Sequence, residues 1–145
     1  YPENNGIQDV FGTGTNDSYM GDNLGGWVFS LYGTTPHFSY QYNGGWQFVG
    51  TFTGSSIPMN QYTSFLLSRK DGVIRLLLNG VLQPVTYNYA NTLISTSGLT
   101  LGKGAVAFAL PYKGHIDELR ITNGNARRTA PYTVVPRAFP DQGFA

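Results

Sequence analysis

From Trp27 onward, apolar and polar residues alternate with a period of two. That spacing sends successive side chains to opposite faces of an extended strand. Trp27, Phe29 and Leu31 alternate with Val28, Ser30 and Tyr32 as far as Gly33. After Pro36, Phe38, Tyr40 and Tyr42 share one face, and His37, Ser39 and Gln41 share the other. Asn43-Gly44-Gly45 reads as a turn, and Trp46, Phe48, Gly50 and Phe52 then resume the pattern. Three strands joined in this way form a meander. Phe29, Phe38, Phe48 and Phe52 are assigned to its core, because rings on alternating strands are usually buried.

The central block predicts a strand over Tyr62 to Arg69, a turn at Lys70-Asp71-Gly72 and a returning strand over Val73 to Leu78. Asn79-Gly80 follows, and both residues tolerate the positive φ of a type I′ hairpin turn. Val81 to Tyr89 continues outward, with Pro84 marking an edge or a bulge. Ile74, Leu76 and Leu78 face one way, while Val73 and Leu77 face the other beside Arg75, so this strand should be covered on both sides. Leu99 to Leu101 forms a short strand, and Val106 to Leu110 is a candidate for another. Gly114 to Thr122 is expected as the last strand. The step of three from Ile116 to Leu119 predicts a β-bulge at Asp117-Glu118.

The two ends of the chain lack this regularity. Residues 1–26 show no period and read as an irregular segment with at most one short strand. Pro131, Pro136 and Pro140 make residues 126–145 an extended tail packed on the domain. The expected organisation is therefore an irregular segment over 1–26, a sandwich over 27–125 and a tail over 126–145. The fold class is all-β, an antiparallel two-sheet jelly-roll sandwich lacking its first strand or strands.

Composition narrows the chemistry. Charged residues are 12% of the 145, so solubility falls to Gly, Asn, Thr, Ser and Gln, a surface suited to neutral, hydroxyl-rich partners. A net charge of +1 gives no electrostatic case for nucleic acid or an anionic membrane. The absence of cysteine excludes disulfides, thiolate metal sites and cysteine nucleophiles. No apolar run approaches the ~18 residues of a membrane-spanning helix. An opening at Tyr1 instead of methionine reads as a fragment or a processed product, and the chain is expected to be part of a larger one or of a homo-oligomer.

Two stretches carry a family resemblance. The run from Phe65 through Ser68, Arg69, Asp71-Gly72 and Arg75 to Asn79-Gly80-Val81 resembles the core of laminin-G-like, concanavalin A-like lectin/glucanase domains. The run from Gly114 through His115, Ile116, Asp117, Glu118, Leu119 and Arg120 to Ile121-Thr122 is similar to the closing strand of that superfamily. Its continuation through Asn123, Arg127, Tyr132, Pro136, Phe139 and Pro140 resembles the tail of the variant found in bacteriophage virion proteins. Together the matched stretches span about residues 57–140. The resemblance implies a virion-surface or extracellular location, with a glycan or other virion proteins as partners. It also implies a first strand rich in Phe, Thr, Ile and Trp beside the last one, and nothing in residues 1–26 looks like it.

Catalysis finds little footing. Glycoside hydrolysis needs two carboxylates facing one bond, and Asp117 and Glu118, being adjacent, diverge on a regular strand. Asp117 is better placed to bond its own backbone. His37 and His115 read as surface or rim residues, and no Gly-x-Ser-x-Gly elbow accompanies them. No catalytic residue is assigned. Calcium is the one cofactor the chain could take, at Asp17 and Asp22 with Asn16 and Asn23, but Asx-turn chemistry explains that loop as well and no metal ligand is assigned. Sugar stacking is the mechanism with the most material. Tyr42, Asn43 and Trp46 surround a Gly-Gly turn, and Tyr87, Asn88 and Tyr89 form a second group; these six are the candidate ligand-binding residues. Tyr112 is a third aromatic position. The readings that follow are a glycan-binding virion module, then a structural virion component, and last an extracellular glucanase.

Overall fold

The computed structural model describes residues 6–13, 26–42, 45–90, 98–103 and 111–135, with residues 41–42 and 45–49 described by backbone alone. Eight strands are present among them: β1 (Ile7–Thr13), β2 (Gly26–Tyr32), β3 (Thr35–Tyr42), β4 (Gly45–Thr51), β5 (Phe65–Lys70), β6 (Val73–Leu78), β7 (Val81–Asn88) and β8 (Leu99–Leu101). They form a five-stranded sheet in the order β4-β3-β2-β1-β8 and a three-stranded sheet in the order β5-β6-β7. All the strand pairings are antiparallel. The all-β two-sheet expectation is met.

The two sheets pack through aromatic rings. Phe65 of β5 lies parallel to Phe29 of β2 at 4.8 Å between centroids, and stacks on Phe11 of β1 at 5.7 Å. Further along the interface, Phe52 meets Tyr87 edge-on and Tyr40 meets Tyr89. Phe29, Phe38 and Phe52 are buried in this core with Leu31, Ile74 and Leu76. Phe48 pairs with Ser39, on the register that faces away from Phe38, because the β3–β4 ladder slips by one residue between Phe38 and Ser39. The side chain of Phe48 lies outside the described residues, and with it the expectation that it joins the core.

The turns at Asp71-Gly72 and Asn79-Gly80 carry positive φ at both central residues, as two-residue hairpins require. Leu77 is fully buried on the face of β6 that points away from the main core, in register between Leu66 and Leu82. Both faces of β6 are covered, as its double-sided apolar pattern predicts.

Three expectations need correction. Residues 7–13 are not irregular: they form β1, which pairs with β2 on one side and with β8 on the other. The alternation fails there because Gln8 faces inward, 1% exposed, its Oε1 accepting from the Lys113 backbone N–H at 2.8 Å. Second, Gly114–Thr122 does not form a strand, so no bulge exists at Asp117-Glu118. Glu118 instead takes φ +52°, and the Asp117 Oδ1 accepts from the Glu118 N–H at 2.9 Å. Ile116 and Leu119 still reach the core from this irregular backbone. Third, β5 begins at Phe65, which leaves Tyr62 in the preceding loop.

The closing segment nonetheless lies beside the first strand. Pro111 bridges Asp9 in parallel, Lys113 bonds Gln8, and the Tyr112 N–H donates to the Gly102 carbonyl. The candidate strand Val106–Leu110 lies outside the described residues.

Candidate functional site

The outward face of the five-stranded sheet carries a row of polar groups set by register. Asp9 pairs with Ser30, Ser30 with His37, and His37 with Thr51, across four adjacent strands. The Ser30 hydroxyl donates to the Asp9 carboxylate at 2.7 Å, and His37 Nδ1 lies 2.7 Å from the Thr51 hydroxyl. Tyr32 stacks on the His37 ring at 4.4 Å, nearly parallel. His37 is therefore not a surface residue: it is 4% exposed, closed over by that ring. Burial holds its pKa below the ordinary 6.5, because desolvation penalises the charged imidazolium. Burial, then the charge of Asp9, raises the Tyr32 phenol.

This row holds a serine, a histidine and an aspartate, yet it is wired differently from a nucleophilic triad. There the histidine stands between serine and carboxylate and takes the serine proton. Here Ser30 stands between the other two and gives its hydrogen to Asp9, so His37 is not positioned by the acid. Ser30 and Ser39 are themselves buried. The chemistry this supports is cross-strand cohesion in a sheet.

The candidate ligand-binding residues fall into three groups. Asn43 lies outside the described residues. Tyr42 and Trp46 are placed by backbone register: Tyr42 pairs with Gly45, and Trp46 pairs with Gln41. The side chains of Tyr42 and Trp46 lie outside the described residues. Tyr87, Asn88 and Tyr89 are fully described. Asn88 is exposed. Tyr89 is 7% exposed, packed on Tyr40 at 4.2 Å with the Arg69 guanidinium over its ring at 5.6 Å. Tyr87 is half-buried, its ring on Phe52 and its hydroxyl donating to the Thr51 carbonyl. Both tyrosines are committed to inter-sheet packing and offer no open ring face. The fold does bring the two groups together, because Tyr40 touches Tyr89 and Tyr42 follows two residues later on β3. Tyr112 is half-buried against the core.

The calcium candidates Asn16, Asp17, Asp22 and Asn23 lie outside the described residues. Among the described residues no group of three or more His, Asp or Glu is arranged to hold a metal ion. Nor, among them, is any helix long and apolar enough to cross a membrane. His115, Asp117 and Glu118 are exposed.

The most exposed large ring among the described residues escaped the sequence reading. Tyr62 is 69% exposed in the amide-rich loop Asn60-Gln61-Tyr62-Thr63. The signal was available, since residues 58–64 do not alternate as a strand should.

A two-layer antiparallel sandwich with a closed polar face and aromatic-rich ends defines a β-sandwich of lectin-like class. The sequence pattern of the concanavalin A-like lectin/glucanases superfamily, in its laminin-G form, matches residues 3–129. The chain belongs to this family. The match reaches further toward the N-terminus than the motifs alone suggest, and it takes in β1. No curated protein matches the chain, and no solved structure does.

Proposed function

We propose that this domain binds carbohydrate without cleaving it, as an adhesion module displayed on a virion or another extracellular surface. The observation that carries the reading is the register pair between Gln41 of β3 and Trp46 of β4, the edge strand of the large sheet. It sets these two residues opposite each other in the β3–β4 ladder. A pyranose presents C–H groups to an aromatic face and hydroxyls to amides, and this pair supplies both. Tyr87 fixes the far end of β4 through Thr51 and Phe52, while Tyr89 supports this end through its packing on Tyr40. Exposed Asn88 adds an amide at the same end.

Catalysis is disfavoured by the acids that can be placed. Asp117 is bonded to the Glu118 N–H, and the positive φ at Glu118 turns the chain between them. The particle-surface location rests on the resemblance of the closing segment and tail. A second reading, a structural component held by protein contacts, is favoured by Leu99 and Leu101, which are 41% and 52% exposed on the edge strand β8.

The test is an oligosaccharide array probed with the whole chain and with Trp46→Ala. Binding that Trp46→Ala abolishes supports the glycan reading. An empty array, with self-association lost on changing Leu99 and Leu101 to Ser, supports the structural one.

A further inference from the structure

The chain holds Asn-Gly at residues 5–6, 43–44, 79–80 and 123–124, and both members are described at the last two. An asparagine followed by glycine is open to one intramolecular reaction. The glycine amide nitrogen can reach the asparagine Cγ, because glycine carries no side chain to block the approach. Whether it does so depends on how firmly the two residues are held. The fold treats these two pairs in opposite ways.

Asn79-Gly80 is clamped. Both residues sit at positive φ in the turn between β6 and β7. The Asn79 N–H donates to the Ser64 carbonyl at 2.7 Å, and Asn79 Oδ1 accepts from the Ser64 N–H at 2.9 Å. The Gly80 carbonyl accepts from the Tyr132 N–H at 2.9 Å, and Gly80 is buried. A Cβ at Gly80 would collide with the Tyr132 carbonyl, so the tail closes over the turn. The carboxamide is tied to Ser64, and the turn and tail fix the backbone that would have to swing toward it.

Asn123-Gly124 is bare. Both residues are exposed, in a bend between Leu119, which packs on the core, and Tyr132, which docks on Gly80. Among the described residues no hydrogen bond holds either one. Gly124 takes φ +79°, and a Cβ there would meet nothing within 4 Å. Carboxamide and backbone can rotate here without breaking any contact.

We propose that Asn123 is a self-modification site, converting in the folded protein to aspartate and isoaspartate while Asn79 is protected. The Gly124 amide nitrogen bonds to Asn123 Cγ, its proton passes through water to the side-chain nitrogen, and the Cγ–Nδ2 bond breaks to release ammonia. One water then opens the cyclic imide. Cleavage between Cγ and the Gly124 nitrogen gives aspartate. Cleavage between the main-chain carbonyl carbon and that nitrogen gives isoaspartate. Either product adds a carboxylate to a chain of net charge +1, and between Leu119 and Tyr132 the charged residues are Arg120, Arg127 and Arg128, all cationic. The modification rewrites the charge of the tail, leaves the core alone and is independent of glycan binding.

Incubation of the full chain in mildly alkaline buffer, with and without urea, followed by tryptic peptide mapping, tests it. In buffer, Asn123 should convert about tenfold or more faster than Asn79, which must first open two hydrogen bonds. In urea the two rates should converge, because both are then plain Asn-Gly sequences. Asn123→Ser should remove the isoaspartate mapped to residues 121–127, with the parent's circular dichroism and an unchanged rate at Asn79. Equal rates in buffer, or an Asn123 that stays intact in buffer and converts only in urea, overturns the proposal. A rate difference that persists in urea overturns it too, because the fold would then not be its cause.

Discussion

The hydroxyl of Tyr87 in β7 donates to the backbone carbonyl of Thr51 at the end of β4, joining the small sheet to the edge strand of the large one. The same ring packs edge-on against Phe52 at 5.3 Å and fills the space beside Gly50. A Cβ at Gly50 would overlap it. Tyr87→Phe keeps the packing and loses the bond, so it should cost about 1 kcal/mol, read as a small fall in the urea midpoint. Gly50→Ala should cost about 3 kcal/mol, because ring or backbone must move. A smaller penalty for Gly50→Ala than for Tyr87→Phe would mean the ring is not seated there.

Gly80 fixes the tail. Its φ of +79° and its contact with the Tyr132 carbonyl both disfavour a side chain. Gly80→Ala should destabilise the domain by about 1–3 kcal/mol. Hydrogen exchange at the Tyr132 amide should accelerate far more than exchange in β2. Uniform acceleration in both places would assign the effect to global unfolding instead.

His37 makes stability depend on pH. Its imidazole is held neutral by burial, so its folded pKa lies below the 6.5 of an unfolded chain. The unfolded state therefore takes up a proton first as pH falls. Stability from this residue is complete above about pH 6.5 and is lost as pH falls through the folded pKa. Around the ring stand Tyr32, Thr51, Ser30 and, two strands away, Asp9. Urea midpoints at pH 7.5 and 5 should show the loss, and His37→Gln should reduce it. An unchanged pH slope in that variant would place the titration elsewhere.

The tyrosines and the tryptophan of the candidate site should separate by assay. Tyr89→Ala removes a buried ring that packs on Tyr40, so it should cost about 3–5 kcal/mol and lower glycan binding only through unfolding. Trp46→Ala should lower binding about tenfold or more while the urea midpoint falls much less. Circular dichroism and array binding on the same samples distinguish the two.

Strands β2 to β4 were legible because their residues alternate, and β5 to β7 because apolar runs are punctuated by the turns at Asp71-Gly72 and Asn79-Gly80. β1 was hidden by particular residues: Gln8 points inward and is satisfied by Lys113, and a register shift between Asp9 and Phe11 breaks the period. The closing segment misled in the other direction. Ile116 and Leu119 reach the core as a strand's residues would, yet the backbone between them turns at Glu118. His37 was placed on the correct face, but its burial depends on Tyr32 folding over it, a contact no period reveals. The candidate rings divided in the same way. Alternation marks Tyr87 and Tyr89 only as strand residues, and their packing partners, Thr51, Phe52 and Tyr40, come from a distant part of the chain. Tyr62 was missed because the apolar run of β5 was extended backward over a loop.

The most direct measurement is a titration of the ¹⁵N-labelled chain with the strongest oligosaccharide found on the array, followed by backbone amide shifts. Shifts should concentrate at residues 41–46, and the oligosaccharide should be recovered intact. Shifts centred instead on Ser30, His37 and Ser39, or newly released reducing ends, would contradict a domain that holds sugar at the β3–β4 turn and leaves it whole.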